Sequence, residues 1–367
     1  MQPRETIDTV IIGAGMIGLA IARELAPSRS VVLLEQESHF GEHLSSRNSE
    51  VIHAGLYYPP DSLKARLCLR GNTLLYRYCQ EQTIPYRRCG KLIVANAGQQ
   101  DSLEQLHHNA LNSGAEGLHR CTQQWLQRQE PWLHASEALL SENSGILDSH
   151  ALMGRLAEQA QEHHALLCYR HRVRRINCEP GHFLLQVDSD DSPFELQCRQ
   201  LINTAGLDAV PLLKRCSGFP AKKIPEQRLA RGNYFSLSGH SPTRRLIYPP
   251  PEADGLGIHL TVDLAGQARF GPDVEWIEHR DYQVNSARLP HFEEAIRRYW
   301  PDLNTDRLSP AYTGIRPKLF IKGEPYRDFL LQGEKEHGIK GMINLLGIES
   351  PGLTAALAIA EDIAKHS

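Results

Sequence analysis

The sequence predicts a two-domain α/β (α+β) protein, with a parallel-sheet domain interleaved with an antiparallel-sheet domain. Three observations predict it. The apolar run Val10-Ile11-Ile12 leads straight into three spaced glycines and a helical pattern. Comparable strand-to-turn elements return mid-chain at Leu201–Gly206 and near the end at Met342–Leu345. Between them, most densely from Leu229 to Pro272, short β-rich runs are separated by Gly and Pro, the pattern of antiparallel strands.

The first stretch, VIIGAGMIGLAIARELAPSRSVVLLE, carries the most chemistry. Val10–Ile12 suits a strand buried on both faces. Gly13, Gly15 and Gly18 follow in G-x-G-x-x-G spacing, and Ile17, Ile21 and Leu25 mark the helix after them. Gly13 permits the tight turn, Gly15 lets a pyrophosphate approach the backbone, and Gly18 lets the helix pack on the sheet. The helix start offers N–H groups and a positive dipole end to phosphates. A second strand, Val31–Leu34, ends in Glu35, whose carboxylate can accept ribose hydroxyls. This is a Rossmann-type dinucleotide motif in its proper context. The acid favours FAD or NAD over NADP, and the motif leaves those two open.

Bulk properties narrow the classes. A chain of 367 residues suffices for two intertwined domains. The hydrophobic fraction is 41% and no apolar run approaches the roughly 18 residues of a spanning helix. A net charge of −3 argues against nucleic acid as the main partner. The eight cysteines form no C-x-x-C pair and read as reduced thiols, and no metal site is expected. With strands starting near residue 10, no leader segment is expected, so the location expected is cytoplasmic, with peripheral contact at the inner membrane left open.

The remaining elements follow in order. A polar loop, QESHFGEHLSSRNSEVIHAGLYYPP, precedes a helix starting after Asp61, with Leu63, Leu67, Leu74, Leu75 and Tyr78 as its apolar stripe. Cys89–Ala95 reads as a strand; Gln99–Ser113 and Gln123–Pro131 read as helices. A helix over Ala151–His164 leads to strands at Leu166–Asn177, Phe183–Asp188 and Phe194–Cys198. The basic run Arg170–Arg175 alternates with Val173 and Ile176 and reads as a solvated strand face. The strands ARGNYFSL, RRLIYP, GLGIHLTVD and GQARFGPD come next, then an amphipathic helix over Ala287–Trp300. The chain returns through Tyr312–Pro317, strands near Phe329–Gln332 and Met342–Leu345, and a last helix opened by Ser350-Pro351. Residues 1–84, 145–222 and 312–367 are expected to form the cofactor domain, and 85–144 and 223–311 the substrate domain.

VIIGAGMIGLAIARELA, SSRNSEVIHAGLYYP, CGKLIVA, GIHLTVD, GIRP and GIESPGLTAALAIAEDIA occur together in this order. In this the chain resembles FAD-dependent oxidoreductases of the D-amino-acid oxidase superfamily, and within it the L-2-hydroxyglutarate dehydrogenase branch. The resemblance implies noncovalent FAD, and oxidation of a small 2-hydroxy acid, L-2-hydroxyglutarate-like, by hydride transfer to flavin N5. Ser46-Arg47 replaces that branch's Gly-His, and Arg316-Pro317 is more similar to the amino-acid-oxidising branches, so amino-acid oxidation is the alternative. Electrons would pass on to a quinone, another carrier or oxygen, a choice the sequence leaves open.

The resemblance also implies site residues. Besides the three glycines and Glu35, FAD would be held by Met16, Ile17, Gln36, Ser46, Val173, Ala205, Gly206, Gly314 and Gly347. Asn48 and Ser49 would contact the flavin ring, against the plain reading of an Asx turn. Ser350, Gly352, Leu353 and Thr354, opening the last helix, would place N–H groups near it. Arg316 is expected to grip the substrate carboxylate as a bidentate fork. His53 and His259 are the candidate bases, His259 on a strand with its side chain opposite to Ile258 and Leu260. Lys91 stands alone among apolar residues, and either faces water, holds a second carboxylate or sits near the flavin. Arg231 and Arg47 are weaker candidates for a distal carboxylate.

Overall fold

A computed structural model describes residues 7–251 and 257–365. Gly255 and Leu256 of the expected GLGIHLTVD strand, and His366 and Ser367 of the last helix, lie outside the described residues. The chain forms two compact units: Met1–Ser46, Ser149–Arg228 and Arg316–Ser367 make the first, and Arg47–Asp148 with Leu229–Ile315 the second.

The first unit is built on a parallel sheet. Strand Ile7–Ile12 lies between Val31–Leu34 and Phe194–Asn203, parallel to both. Leu166–Cys168 extends the sheet beyond Val31–Leu34, and Met342–Leu346 pairs in parallel with Phe194–Asn203. Val10 and Ile11 are wholly buried, as a strand covered on both faces requires. Helix Met16–Leu25 buries Leu19, Ile21 and Leu25, each worth about 1.5–3 kcal/mol. It packs against helices Ser149–Glu162 and Gly352–Lys365.

The expected strand Leu166–Asn177 is two strands. Arg170, with φ 59°, breaks it. Leu166–Cys168 joins the parallel sheet, while Arg172–Glu179 pairs antiparallel with His182–Asp188, which pairs antiparallel with Phe194–Asn203. Arg172, Arg174 and Arg175 are exposed and Val173 and Ile176 buried, so the basic run is a solvated face.

The second unit holds a mixed sheet. Lys91–Ala95 and Leu118–Thr122 both pair antiparallel with Glu137–Ser141. Leu246–Tyr248 runs parallel to Lys91–Ala95, a departure from the all-antiparallel expectation, because these strands come from separate chain segments. Leu260–Val262 and Ala268–Phe270 continue it in antiparallel fashion to Glu226–Leu237. Its core includes Leu92, Ile93, Phe235, Tyr248, Phe270 and Phe292.

Residues 47–84, expected with the cofactor domain, fall in the second unit. Val51–Ile52 pairs there with Gly145–Leu147. Helix Leu63–Glu81, capped by Ser62, sends Asn72 Nδ2 to the carbonyls of His53 and Asn143 at 2.8 and 2.9 Å. The expected helix Ala287–Trp300 spans only Leu289–Arg297, after a 3₁₀ turn at Ser286–Arg288. Among the described residues no helix is long and apolar enough to cross a membrane.

Candidate active site

In the first unit a cleft lies at the ends of strands Ile7–Ile12 and Val31–Leu34, and the backbone shapes it. Gly13 has φ +102°, a conformation costly for side-chain-bearing residues, and a Cβ there would lie 2.8 Å from the Thr204 carbonyl. Its N–H donates to the Leu34 carbonyl at 2.8 Å, tying the turn to the second strand. A Cβ at Gly18 would collide with the Gly13 carbonyl, so Gly18 serves packing. A Cβ at Gly15 would meet only Ser45 Oγ, at 3.0 Å, and would stand in the cleft. No side chain caps the helix at Gly15.

Glu35 closes one side. Its Oε2 accepts the Ala14 N–H at 2.7 Å and its Oε1 the Glu37 N–H at 2.9 Å. The residue is buried, and burial raises its pKa against the lowering effect of those two bonds. Each oxygen retains acceptor capacity for a hydroxyl. An open glycine, a helix start whose cap residue carries no side chain, and an oriented carboxylate fit a dinucleotide. The turn from Gly13 to Gly18 would hold its pyrophosphate and Glu35 its ribose.

Met16, Ile17, Gln36, Val173, Ala205 and Gly206 border the cleft as expected positions. Ser46 does not: it is exposed, with Oγ 3.4 Å from the His43 carbonyl. The serine at the cleft is Ser45, whose Oγ accepts the Met16 N–H at 2.9 Å. Only the turn decides which member of the Ser-Ser pair points inward. Thr204, of the expected small-residue turn before Ala205 and Gly206, also lines the cleft, as do Asp208 and Arg215, which nothing local marks in the sequence. Near the last helix, Leu345 and Ile348 line it, whereas Gly347, Ser350, Gly352, Leu353 and Thr354 do not. That helix begins at Gly352, two residues later than expected, and Thr354 is wholly buried. Arg316 is half-buried on strand Leu308–Ile321.

In the second unit, Asn48 Oδ1 accepts the Glu50 N–H at 2.6 Å, an Asx turn supporting the left-handed Glu50. Ser49 Oγ lies 2.8 Å from Tyr234 Oη, and Tyr234 stacks on Tyr312 at 4.4 Å. Gly314 is a packing position, where a Cβ would collide with the Arg47 carbonyl. Arg231 is committed to Glu275, Asp281 and the Gln283 carbonyl, which removes it as a carboxylate ligand. Arg47 lies over the Tyr282 ring at 4.2 Å.

The second unit also brings three candidates together. Lys91 opens its strand and is 0% exposed, which excludes the solvent-facing reading. Its Nζ lies 3.4 Å from His53 Nδ1, 4.1 Å from the Tyr248 ring centre and 5.4 Å from that of Tyr57. Tyr248 stacks on His259 at 3.8 Å. His259 immediately precedes the strand Leu260–Val262, and Ile258, His259 and Leu260 are all buried. Burial pulls Lys91 down to about 7, opposed by the Cys68 and Cys89 thiols. Burial, then the charges of Lys91 and His259, holds His53 well below the ordinary histidine value.

His259 Nδ1 lies 3.1 Å from the Gly257 carbonyl. A carbonyl only accepts, so Nδ1 carries hydrogen and Nε2 of the neutral ring carries the lone pair. His259 can therefore take a proton at Nε2.

A glycine turn between parallel strands, with an acid ending the second, defines a dinucleotide-binding protein. Residues 8–366 match the family model described as FAD dependent oxidoreductase, DAO. The chain belongs to this family, and is an FAD-dependent oxidoreductase. It is 44% identical to the mitochondrial L-2-hydroxyglutarate dehydrogenase of Arabidopsis thaliana, over 98% of this chain and 83% of that one. The enzyme of the same name from Caenorhabditis elegans is 34% identical over 98% and 93%. Among solved structures, a dithionite-reduced L-alpha-glycerophosphate oxidase from Mycoplasma pneumoniae with FAD bound has a TM-score of 0.89 at 24% identity, covering 98% of this chain and 94% of that one. Glycine oxidase from Geobacillus kaustophilus reaches 0.80 at 18% identity, with 98% and 94% covered. These two show the fold.

Proposed function

We propose that this chain oxidises L-2-hydroxyglutarate to 2-oxoglutarate with FAD as cofactor. The observation that carries the reading is the 44% identity, across 98% of the chain, to an L-2-hydroxyglutarate dehydrogenase. The bound FAD supplies the acceptor for the C2 hydrogen and its electron pair. The protein must bind the anion and accept the hydroxyl proton. Arg316, on strand Leu308–Ile321, pairs with a substrate carboxylate; a guanidinium stays charged and matches it as a fork. His259 Nε2 takes the hydroxyl proton, a role the Gly257 bond to Nδ1 supports. The eight cysteines are free thiols, which supports a reducing, cytoplasmic setting, while the relatives named above are called mitochondrial. Reoxidation passes to a quinone, a carrier or oxygen.

The test is anaerobic titration of the FAD-loaded protein with L-2-hydroxyglutarate, its D-enantiomer and a panel of amino acids. Bleaching of the flavin by the L-hydroxy acid is expected. Bleaching by amino acids alone would overturn the reading in favour of an amino-acid oxidase.

A further inference from the structure

We infer that Lys91 is a positioning residue that fixes the His53 ring as the tautomer protonated at Nε2, making His53 a hydrogen-bond donor and leaving His259 as the proton acceptor.

The geometry assigns the roles. The Lys91 ammonium has hydrogens to give and no lone pair to offer. At 3.4 Å from His53 Nδ1, it requires the Nδ1 lone pair to face it, which places the ring hydrogen on Nε2. His259 has the opposite arrangement, with Nδ1–H toward the Gly257 carbonyl and the lone pair on Nε2. In their neutral forms the two rings of this buried cluster therefore present unlike groups. A hydroxyl becoming a carbonyl needs both: an acceptor for its proton, and a donor for the oxygen as charge gathers on it.

Lys91 is placed to act through His53 rather than on a substrate. It is wholly buried. No carboxylate pairs with it among the described residues, and the Tyr248 face at 4.1 Å carries its charge. The groups facing it are His53 beyond strand Val51–Ile52, Tyr57, Cys68 on helix Leu63–Glu81, Cys89 and Tyr248, with His259 stacked on the Tyr248 ring. A value of about 7 keeps the ammonium charged on the acid side of neutrality.

That the oxygen belongs to a 2-hydroxy acid rests on the function proposed above; the tautomer does not. The direct test is ¹⁵N NMR of the histidine rings in the FAD-loaded wild type near pH 6, with the His53 signals assigned by their loss in His53→Gln. Pyridine-type Nδ1 and protonated Nε2 are expected, and Lys91→Met should bring in the other tautomer. Protonated Nδ1 in the wild type would overturn the inference without needing any variant to fold. In kinetics, Lys91→Met should lower kcat about tenfold or more with KM changed less than about twofold. A raised KM at unchanged kcat would instead make Lys91 a substrate ligand and overturn the inference. If the NMR result holds but L-2-hydroxyglutarate leaves the flavin oxidised, the substrate reading falls and the tautomer assignment stands.

Discussion

The glycine cleft of the first unit and the buried cluster of the second are built on opposite principles. In the cleft, backbone does the shaping: Gly13 turns at φ +102°, Gly18 has no room for a Cβ, and Gly15 leaves space open. The cluster is assembled from side chains of distant segments, His53, Lys91, Tyr248 and His259, that meet only in the fold. A backbone site is written in local spacing and depends on the absence of side chains. A side-chain site depends on burial and on which atom of each ring faces which neighbour.

The contrast can be broken most sharply at the glycines. Gly15→Val should fold and purify without flavin colour, because its side chain enters open cleft space, whereas Gly18→Val should lower Tm strongly by colliding with the Gly13 carbonyl. Thermal melts with flavin absorbance separate the two; a yellow Gly15→Val protein would refute the cleft assignment. In the cluster, His259→Gln should keep FAD and lose about 10²–10⁴-fold in kcat, read by stopped-flow flavin reduction. Arg316→Ala should raise KM with FAD retained, and the loss of a charge-paired partner, about 2–5 kcal/mol, corresponds to a fall in kcat/KM of at least about 30-fold.

Lys91 sharpens the comparison through pH. Its folded value of about 7 lies below the ordinary 10.5. Below about 7 both folded and unfolded states hold the proton, and the folded state bears the whole burial penalty. Between about 7 and 10.5 the unfolded state binds more protons, so stability rises with pH. Lys91→Met removes this dependence, and its stability relative to wild type should be most favourable near pH 6 and decline by a few kcal/mol toward pH 10, at about 1.4 kcal/mol per pKa unit. Denaturant melts at the two pH values measure it; parallel wild-type and variant curves would show that Lys91 titrates normally. The smallest effect belongs to Glu35→Gln, which keeps an acceptor oxygen and should weaken FAD retention by about tenfold, a loss of about 1.4 kcal/mol.

Elements governed by local periodicity were legible. The glycine turn, the first helix and the last strand at Met342–Leu346 lie close to where spacing put them. Departures arose where one residue's conformation or a distant partner decides. Arg170 in the left-handed region split one expected strand into two with different sheet partners. Ser45 rather than Ser46 turned to the cleft. Arg231, a plausible anion ligand by type, is consumed by Glu275 and Asp281 from distant positions.

By itself the sequence determined the nucleotide turn, its acid and the mixed fold class, because these follow from interactions between residues near in the chain. Only the tertiary structure decided that Lys91 is buried beside His53, that His259 lies against Tyr248, and that His259 Nδ1 faces the Gly257 carbonyl. The physical reason is that a proton's position and a lysine's charge are set by desolvation and by neighbours a few ångströms away. Those neighbours stand up to about two hundred residues apart in the chain, from His53 to His259.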